Sequence, residues 1–296
     1  IADPENIEIN RAQVSWKSGA TGVTFGRQRI ILDNARFVGN VGWRQNEQTY
    51  DAISLQNTSL DDTTLFYGFV HNINRVVGDD HPAGDFHSKA HLFNASYAGF
   101  KPGKLTGYAY LLDIQDAPAA SANTFGASFA GAWPVNEDVK VNYRAEFAWQ
   151  TDAGDNATDY EAEYLNFELG GSYKHFNAGA GYELLGSDNG VGFSTPLATL
   201  HAFNGWADVF LATPGDGLQD FYGWVGCTLP GQFPLKVIYH QFYSDDGNDD
   251  YGSEIDAVIS RKLGKHWTAL AKYAHYDGDG PFASRDKLWL QVEFSY

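Results

Sequence analysis

Methionine is absent from this 296-residue chain, cysteine occurs once, at Cys227, and basic residues are few, 20 against 37 acidic ones. Each shortage closes off a class of protein. A net charge of −17 argues against a nucleic-acid surface, which needs clustered lysine and arginine to neutralise phosphates. No nucleic-acid partner is expected. A lone cysteine excludes an internal disulfide but leaves the redox compartment open. The longest apolar runs are only a few residues, far short of the roughly 20 that a membrane-spanning helix requires. With neither a methionine nor a signal peptide, the chain is expected to be a processed or trimmed form of its translation product.

Aromatic residues and glycine are plentiful instead: 20 Phe, 17 Tyr, 8 Trp and 32 Gly. A closed β-barrel is the other structure that satisfies every backbone amide in lipid, and it crosses with about 9–11 residues per strand. The closing segment shows the required pattern. In Leu288, Trp289, Leu290, Gln291, Val292, Glu293, Phe294, Ser295 and Tyr296, alternate residues form an apolar set and a mostly polar one. Leu290, Val292 and Phe294 are expected to face lipid, and Trp289, Gln291 and Glu293 the lumen. Residues 139–150 show the same division, with Val139, Val141, Tyr143, Ala145, Phe147 and Trp149 set against Lys140, Asn142, Arg144, Glu146, Ala148 and Gln150.

Comparable segments recur at 7–16, 22–31, 48–58, 63–73, 88–100, 105–115, 122–133, 161–173, 176–186, 217–228, 235–243, 251–261, 266–276 and 286–296. Tight links (17–21, 101–104, 135–138, 174–175, 229–234, 262–265) interleave with long ones (32–47, 74–87, 151–160, 187–216, 244–250). Short and long links in turn make an up-and-down meander, with short turns at the periplasmic end and long loops outside. The expectation is an all-β, antiparallel, transmembrane β-barrel in one domain over residues 1–296, with about 15 strands here. Single-chain bacterial barrels hold an even number of strands, so about 16–18 are expected in the full protein, with at least one before Ile1. Trp16, Phe100, Trp133, Trp149, Tyr173, Trp267 and Tyr296 fall at strand ends, where interfacial girdles sit.

Carboxylates concentrate in the long links, as in Asp79, Asp80 and Asp85 or the run of residues 244–250, SDDGNDD. That run offers oxygen ligands but lacks the spacing of a calcium loop. His81, Asp85 and His87 are a similarly weak metal set, and no metal or cofactor is expected. The densest arginine group is Arg27, Arg29, Arg36 and Arg44, with Asp33 and Glu47 beside it. Guanidinium groups presented to a confined space raise the local concentration of anions and suit carboxylates in particular. Strict alternation from Val23 and Phe25 would point Arg27 and Arg29 outward, so a bulge or the end of the lipid band is expected there. On better-phased strands Arg11, Arg144, Lys236 and Lys272 join the polar set, together with Glu146, Glu254 and Asp256, giving a lumen of mixed sign.

Two stretches carry a family resemblance. GRQRIILDNARFVGNVGWRQNEQTYD at 26–51 and GFSTPLATLHAFNGWAD at 192–208 resemble the alginate-export family of outer-membrane proteins. The resemblance implies a monomeric barrel in outer-membrane lipid and lipopolysaccharide, with an arginine-lined constriction passing anionic polysaccharide or related solutes. It implies that Arg27, Arg29, Arg36 and Arg44 belong to that constriction. The link holding His201, Asn204, Trp206 and Asp208 would fold into or over the pore.

No catalytic frame is present: there is no Gly-x-Ser-x-Gly elbow, no His-Glu-x-x-His helix and no phosphate loop. The function expected is passive diffusion of small anionic or sugar-like solutes through the bacterial outer membrane. The alternative is a plugged structural or adhesion barrel that binds partners through its acidic outer loops.

Overall fold

Period-two sequences zip into a single wall. The computed structural model describes residues 7–44 and 46–295. Its strands begin with β1 (Ala12–Ser18), β2 (Thr21–Gln28), β3 (Thr49–Asn57), β4 (Thr63–Asn74) and β5 (Asp85–Phe100). They continue with β6 (Gly103–Leu112), β7 (Ala122–Pro134), β8 (Val139–Asp152), β9 (Glu161–Tyr173) and β10 (Phe176–Leu185). A small hairpin, β11 (Ser187–Asp188) and β12 (Val191–Gly192), lies within a long loop. β13 (Leu218–Leu229), β14 (Phe233–Tyr243), β15 (Asp250–Leu263), β16 (Trp267–Gly278) and β17 (Arg285–Phe294) complete the wall. Fifteen strands pair in sequence order, each antiparallel to the next, with β10 pairing directly to β13. The expected meander and strand count are therefore found, with boundaries moved by a few residues. The first strand begins at Ala12 rather than at residue 7, and the second leaves the sheet after Gln28, because residues 29–31 turn into the lumen.

Burial is inverted relative to a soluble protein. On β8, Phe147 and Trp149 are exposed while Glu146, Ala148 and Gln150 are buried. On β17, Leu290, Val292 and Phe294 are exposed and Trp289 is only 7% exposed. An apolar outer face over a polar inner one is the signature of a transmembrane barrel. The curl is visible in the reach of one loop. Asp33 meets Lys104 on β6 and Arg144 on β8, Arg36 meets Glu183 on β10, and Trp43 meets Trp289 on β17. A flat sheet of fifteen strands could not bring those four strands to one loop. β1 and β17 are the edges of the described sheet and both run toward the short-turn end, so they cannot pair antiparallel with each other.

Trp16, Phe100, Trp133, Trp149, Tyr173 and Trp267 are all exposed at or near strand ends, as a girdle requires. Tyr296 lies outside the described residues. Of the two outcomes expected at Arg27, a bulge or the end of the lipid band, the bulge is absent. The register runs unbroken through Arg27 on both sides, pairing it with Ala12 and Asp51. Arg27 thus continues the outward row of Phe25, and its guanidinium pairs with Asp51 at 2.8 Å. Gly26 before it has φ of 111°, and a Cβ there would collide with the Ala12 carbonyl oxygen.

Candidate functional site

Two long loops, residues 29–48 and 186–217, dock on each other inside the barrel. Their contact is partly main-chain: Val38 bridges Leu197 in parallel, Gly39 N–H donates to the Leu197 carbonyl at 2.8 Å, and Thr199 N–H donates to the Ala35 carbonyl at 3.0 Å. Gln48, buried, donates to the carbonyls of Gly39 and Leu197, both at 3.1 Å. An apolar core forms around this seam. Phe37 packs against Tyr108, Tyr110, Tyr164 and Phe193, with ring centroids 5.1–6.2 Å apart. Asp33, Ala35 and Val41 adopt positive φ, which is strained for Val41 above all because it is β-branched. The Thr199 hydroxyl accepts from Val41 N–H at 3.1 Å and holds that turn.

A buried ion pair locks the seam to the wall. Arg36 is 1% exposed, and its Nε donates to Glu183 Oε1 at 2.7 Å. Its remaining nitrogens donate to Thr195 and Asn204, and its guanidinium lies 4.8 Å from the Phe203 ring centroid. Glu183 in turn accepts from the Tyr164 hydroxyl and from Asn204, each at 2.6 Å. Arg36 and Asn204, placed by the sequence in separate loops, therefore share one carboxylate that was not foreseen.

The other charged residues form two further groups. Asp33 accepts from Arg144 at 2.6 Å and from Lys104 at 3.2 Å, while Arg144 also holds Glu146 at 2.7 Å. Burial pushes the Asp33 carboxyl up, but Arg144 and Lys104 outweigh it, so the group sits below the usual range. Arg29 pairs with Glu47 at 2.7 Å, and Arg11 lies 4.0 Å from the same carboxylate. Burial again raises Glu47, and Arg29 and Asn40 bring it below its usual value. Arg44 differs from these: its Nη1 is buried without a hydrogen-bond partner among the described residues. The foreseen arginines thus reach the lumen as Arg29, Arg36 and Arg44, two of them neutralised by carboxylates, while Arg27 does not join them.

Lys272 stands at the opposite wall inside a cage of three tryptophans. Its Nζ lies 3.7 Å from the Trp206 ring centroid, 4.9 Å from Trp43 and 5.3 Å from Trp289. One tryptophan comes from each inward loop and one from β17, so a single ammonium draws both loops to the wall. Nζ also donates to His201 Nε2 at 2.8 Å, and His201 Nδ1 donates to Asp208 Oδ1 at 2.5 Å. That chain of donors requires a neutral imidazole with its proton on Nδ1. Asp208 is held a second time by Lys287 at 2.7 Å. Next to the cage, the backbone N–H groups of Trp206 and Ala207 donate to Asp256 and Glu254.

The His201 contact is pH-dependent. Burial holds its imidazole below the usual histidine range, against the upward pull of Asp208. A depressed histidine leaves stability whole above its unfolded pKa of about 6.5 and removes it as pH falls toward the folded value. Asp208, lowered by His201 and Lys287 against the effect of burial, keeps its contribution until pH falls below the ordinary carboxylate range of about 4. Loop docking is therefore expected to weaken on acidification below about 6.5. The emission of Trp43, stacked 4.8 Å from His201, reports it, since imidazolium quenches indole. His201→Gln is expected to abolish the step, and a step unchanged in that variant would place its origin elsewhere.

Beside the lock, about midway along β9, β13 and β14, lies a cavity of about 260 Å³. Arg144, Lys236 and His240 line it together with Glu168, Glu183 and Asp220, and Trp206, Tyr222 and Trp224 supply aromatic faces. Lys236 lies 5.4 Å from the Trp224 ring centroid, and His240 Nδ1 bonds Asp220 at 2.9 Å. Asp220, His240, Trp43 and Glu183 went unnoticed in the sequence. For Glu183 and Asp220 the one available signal was a carboxylate on the inward parity of its strand.

A sequence model described as alginate export matches residues 3–189. Among solved structures, the chain is similar to OccAB4 of Acinetobacter baumannii, with a TM-score of 0.77 and 14% identity over 95% of this chain and 73% of that one. It is similar also to OccK5 (OpdH) of Pseudomonas aeruginosa, at 0.74 and 13% over 96% and 81%. OpdK of Pseudomonas aeruginosa, solved with vanillate, gives 0.73 and 12% over 95% and 77%. At these identities the likeness is one of fold. No curated protein matches the chain.

Proposed function

The chain belongs to the alginate-export family of outer-membrane β-barrel porins, and we propose that it is a passive diffusion channel for small anionic or sugar-like solutes, with uronate-type oligosaccharides among them. The observation that carries this reading is the cavity beside the docked loops. Sugar rings stack on aromatic faces, and Trp206, Tyr222 and Trp224 offer them there. Lys236 on the cavity wall suits a solute carboxylate, and the unpartnered nitrogen of Arg44 adds a cation at the loops. Most of the remaining positive charge at the narrow section is spent on internal ion pairs, so the anion preference expected is modest. The barrel would act as a monomer in outer-membrane lipid and lipopolysaccharide.

Reversal potentials in planar bilayers under a salt gradient test the reading. A weak anion preference with block by uronate oligomers is expected. Firm cation selectivity without block would sink the anionic-sugar version. The apolar loop seam, with Phe37, Val38 and Leu197 all buried, favours one other reading: a barrel plugged by its own loops that serves adhesion through its acidic outer links. Complete absence of conductance would support it.

A further inference from the structure

The outward face of β16 reads Trp267, Ala269, Ala271 and Tyr273, so two small residues lie between two large aromatic ones. Register places Ile259, Ala271 and Leu290 in one outward row, and Arg261, Ala269 and Val292 in the next row toward the periplasm. The alanines therefore form the floor of a slot of about 380 Å³, walled by Phe233 and Ile259 on one side and Leu290 and Val292 on the other. The six residue steps of strand from Trp267 to Tyr273 span roughly 20 Å, a length that accommodates one acyl chain lying along the barrel.

Arg261 stands at the periplasmic mouth of this slot. Between Ile255 and Leu263 the outward residues of β15 are Ile255, Ala257, Ile259, Arg261 and Leu263, and the arginine is the sole charge. A cation on a lipid-facing row costs about 2–4 kcal/mol at the midplane and about 0–1 near an interface. Arg261 lies one row inside the girdle residue Trp267, where a long side chain can reach the headgroup layer. Its guanidinium lies 4.5 Å from the Phe233 ring centroid, and among the described residues no carboxylate pairs with it. The ring supports one face and leaves the donor edges of the guanidinium available to an anion.

We propose that this slot is a binding site for a phospholipid of the periplasmic leaflet, with its phosphate on Arg261 and one acyl chain over Ala269 and Ala271. The chemistry is complementary at both ends: a planar fork of donors suits a phosphate, and the alanine floor suits a hydrocarbon chain. The depth selects the source, since β15 reaches Arg261 just before the short turn into β16, on the side away from lipopolysaccharide.

Native mass spectrometry of the protein in detergent micelles doped with phosphatidylglycerol tests the proposal. Wild type is expected to retain one phosphatidylglycerol. Arg261→Gln, which removes the phosphate partner, and Ala271→Phe, which fills the slot, are each expected to weaken retention about tenfold, and Arg261→Lys to weaken it less. Lys265→Gln in the adjoining turn is expected to leave it unchanged. Circular dichroism and single-channel conductance establish that each variant has folded. Failure of wild type to retain the lipid overturns the proposal. So does retention equal to wild type in Arg261→Gln or Ala271→Phe, or retention of lipopolysaccharide in place of phosphatidylglycerol.

Discussion

Glu183→Ala is expected to weaken the docking of the two inward loops by about 3–5 kcal/mol, the usual consequence of removing one member of a buried ion pair. The loss comes mainly from what is left behind. Arg36 would remain 1% exposed with only Thr195 and Asn204 as partners, and Tyr164 and Asn204 would each lose an acceptor. Because the barrel ladder is untouched, the loss falls on the loop seam. Exchange of the Gly39 amide, which bonds the Leu197 carbonyl, is expected to accelerate roughly a hundred- to a few thousandfold. The double variant Arg36→Met with Glu183→Leu removes both charges and is expected to recover much of the protection. Exchange unchanged in Glu183→Ala would show that the apolar seam holds the loops without the lock.

Phe167→Arg is expected to cost about 2–4 kcal/mol of folding free energy in vesicles, because a cation then faces lipid near the middle of β9. Phe167 is 52% exposed on the outward row, paired across the wall with Ala145 and Tyr182. Its neighbour Asn166 is buried and lines the cavity. Asn166→Arg is therefore expected to escape the lipid penalty and to shift ion selectivity instead. Urea titration of folding into vesicles separates the two. Equal losses in both variants would contradict the assignment of faces on which the whole wall rests.

The faces were legible because strand periodicity is local. Leu290, Val292 and Phe294 against Trp289 can be assigned from nine consecutive residues, and the assignment holds in the structure. The link pattern carried the meander for the same reason. At Arg27 strict alternation was the correct guide: of the bulge and the end of the lipid band, no bulge occurs, and Asp51 supplies a counter-charge on the outer face. The loop lock was beyond reach, since Arg36 and Glu183 are 147 residues apart and nothing local distinguishes Glu183 from any inward carboxylate. The two stretches that carried the family resemblance were recognised separately, yet Val38 and Leu197, one from each, bridge each other. Lys272 was placed on the correct face, but its cage draws Trp43, Trp206 and Trp289 from three separate parts of the chain.

The central claim is that the barrel conducts and that the docked loops set its narrow section. Single-channel recording of wild type beside Glu183→Ala tests it most directly. The account predicts a small, steady, ohmic conductance in wild type that rises severalfold when the lock is removed. Silence in wild type and in the unlocked variant would contradict it.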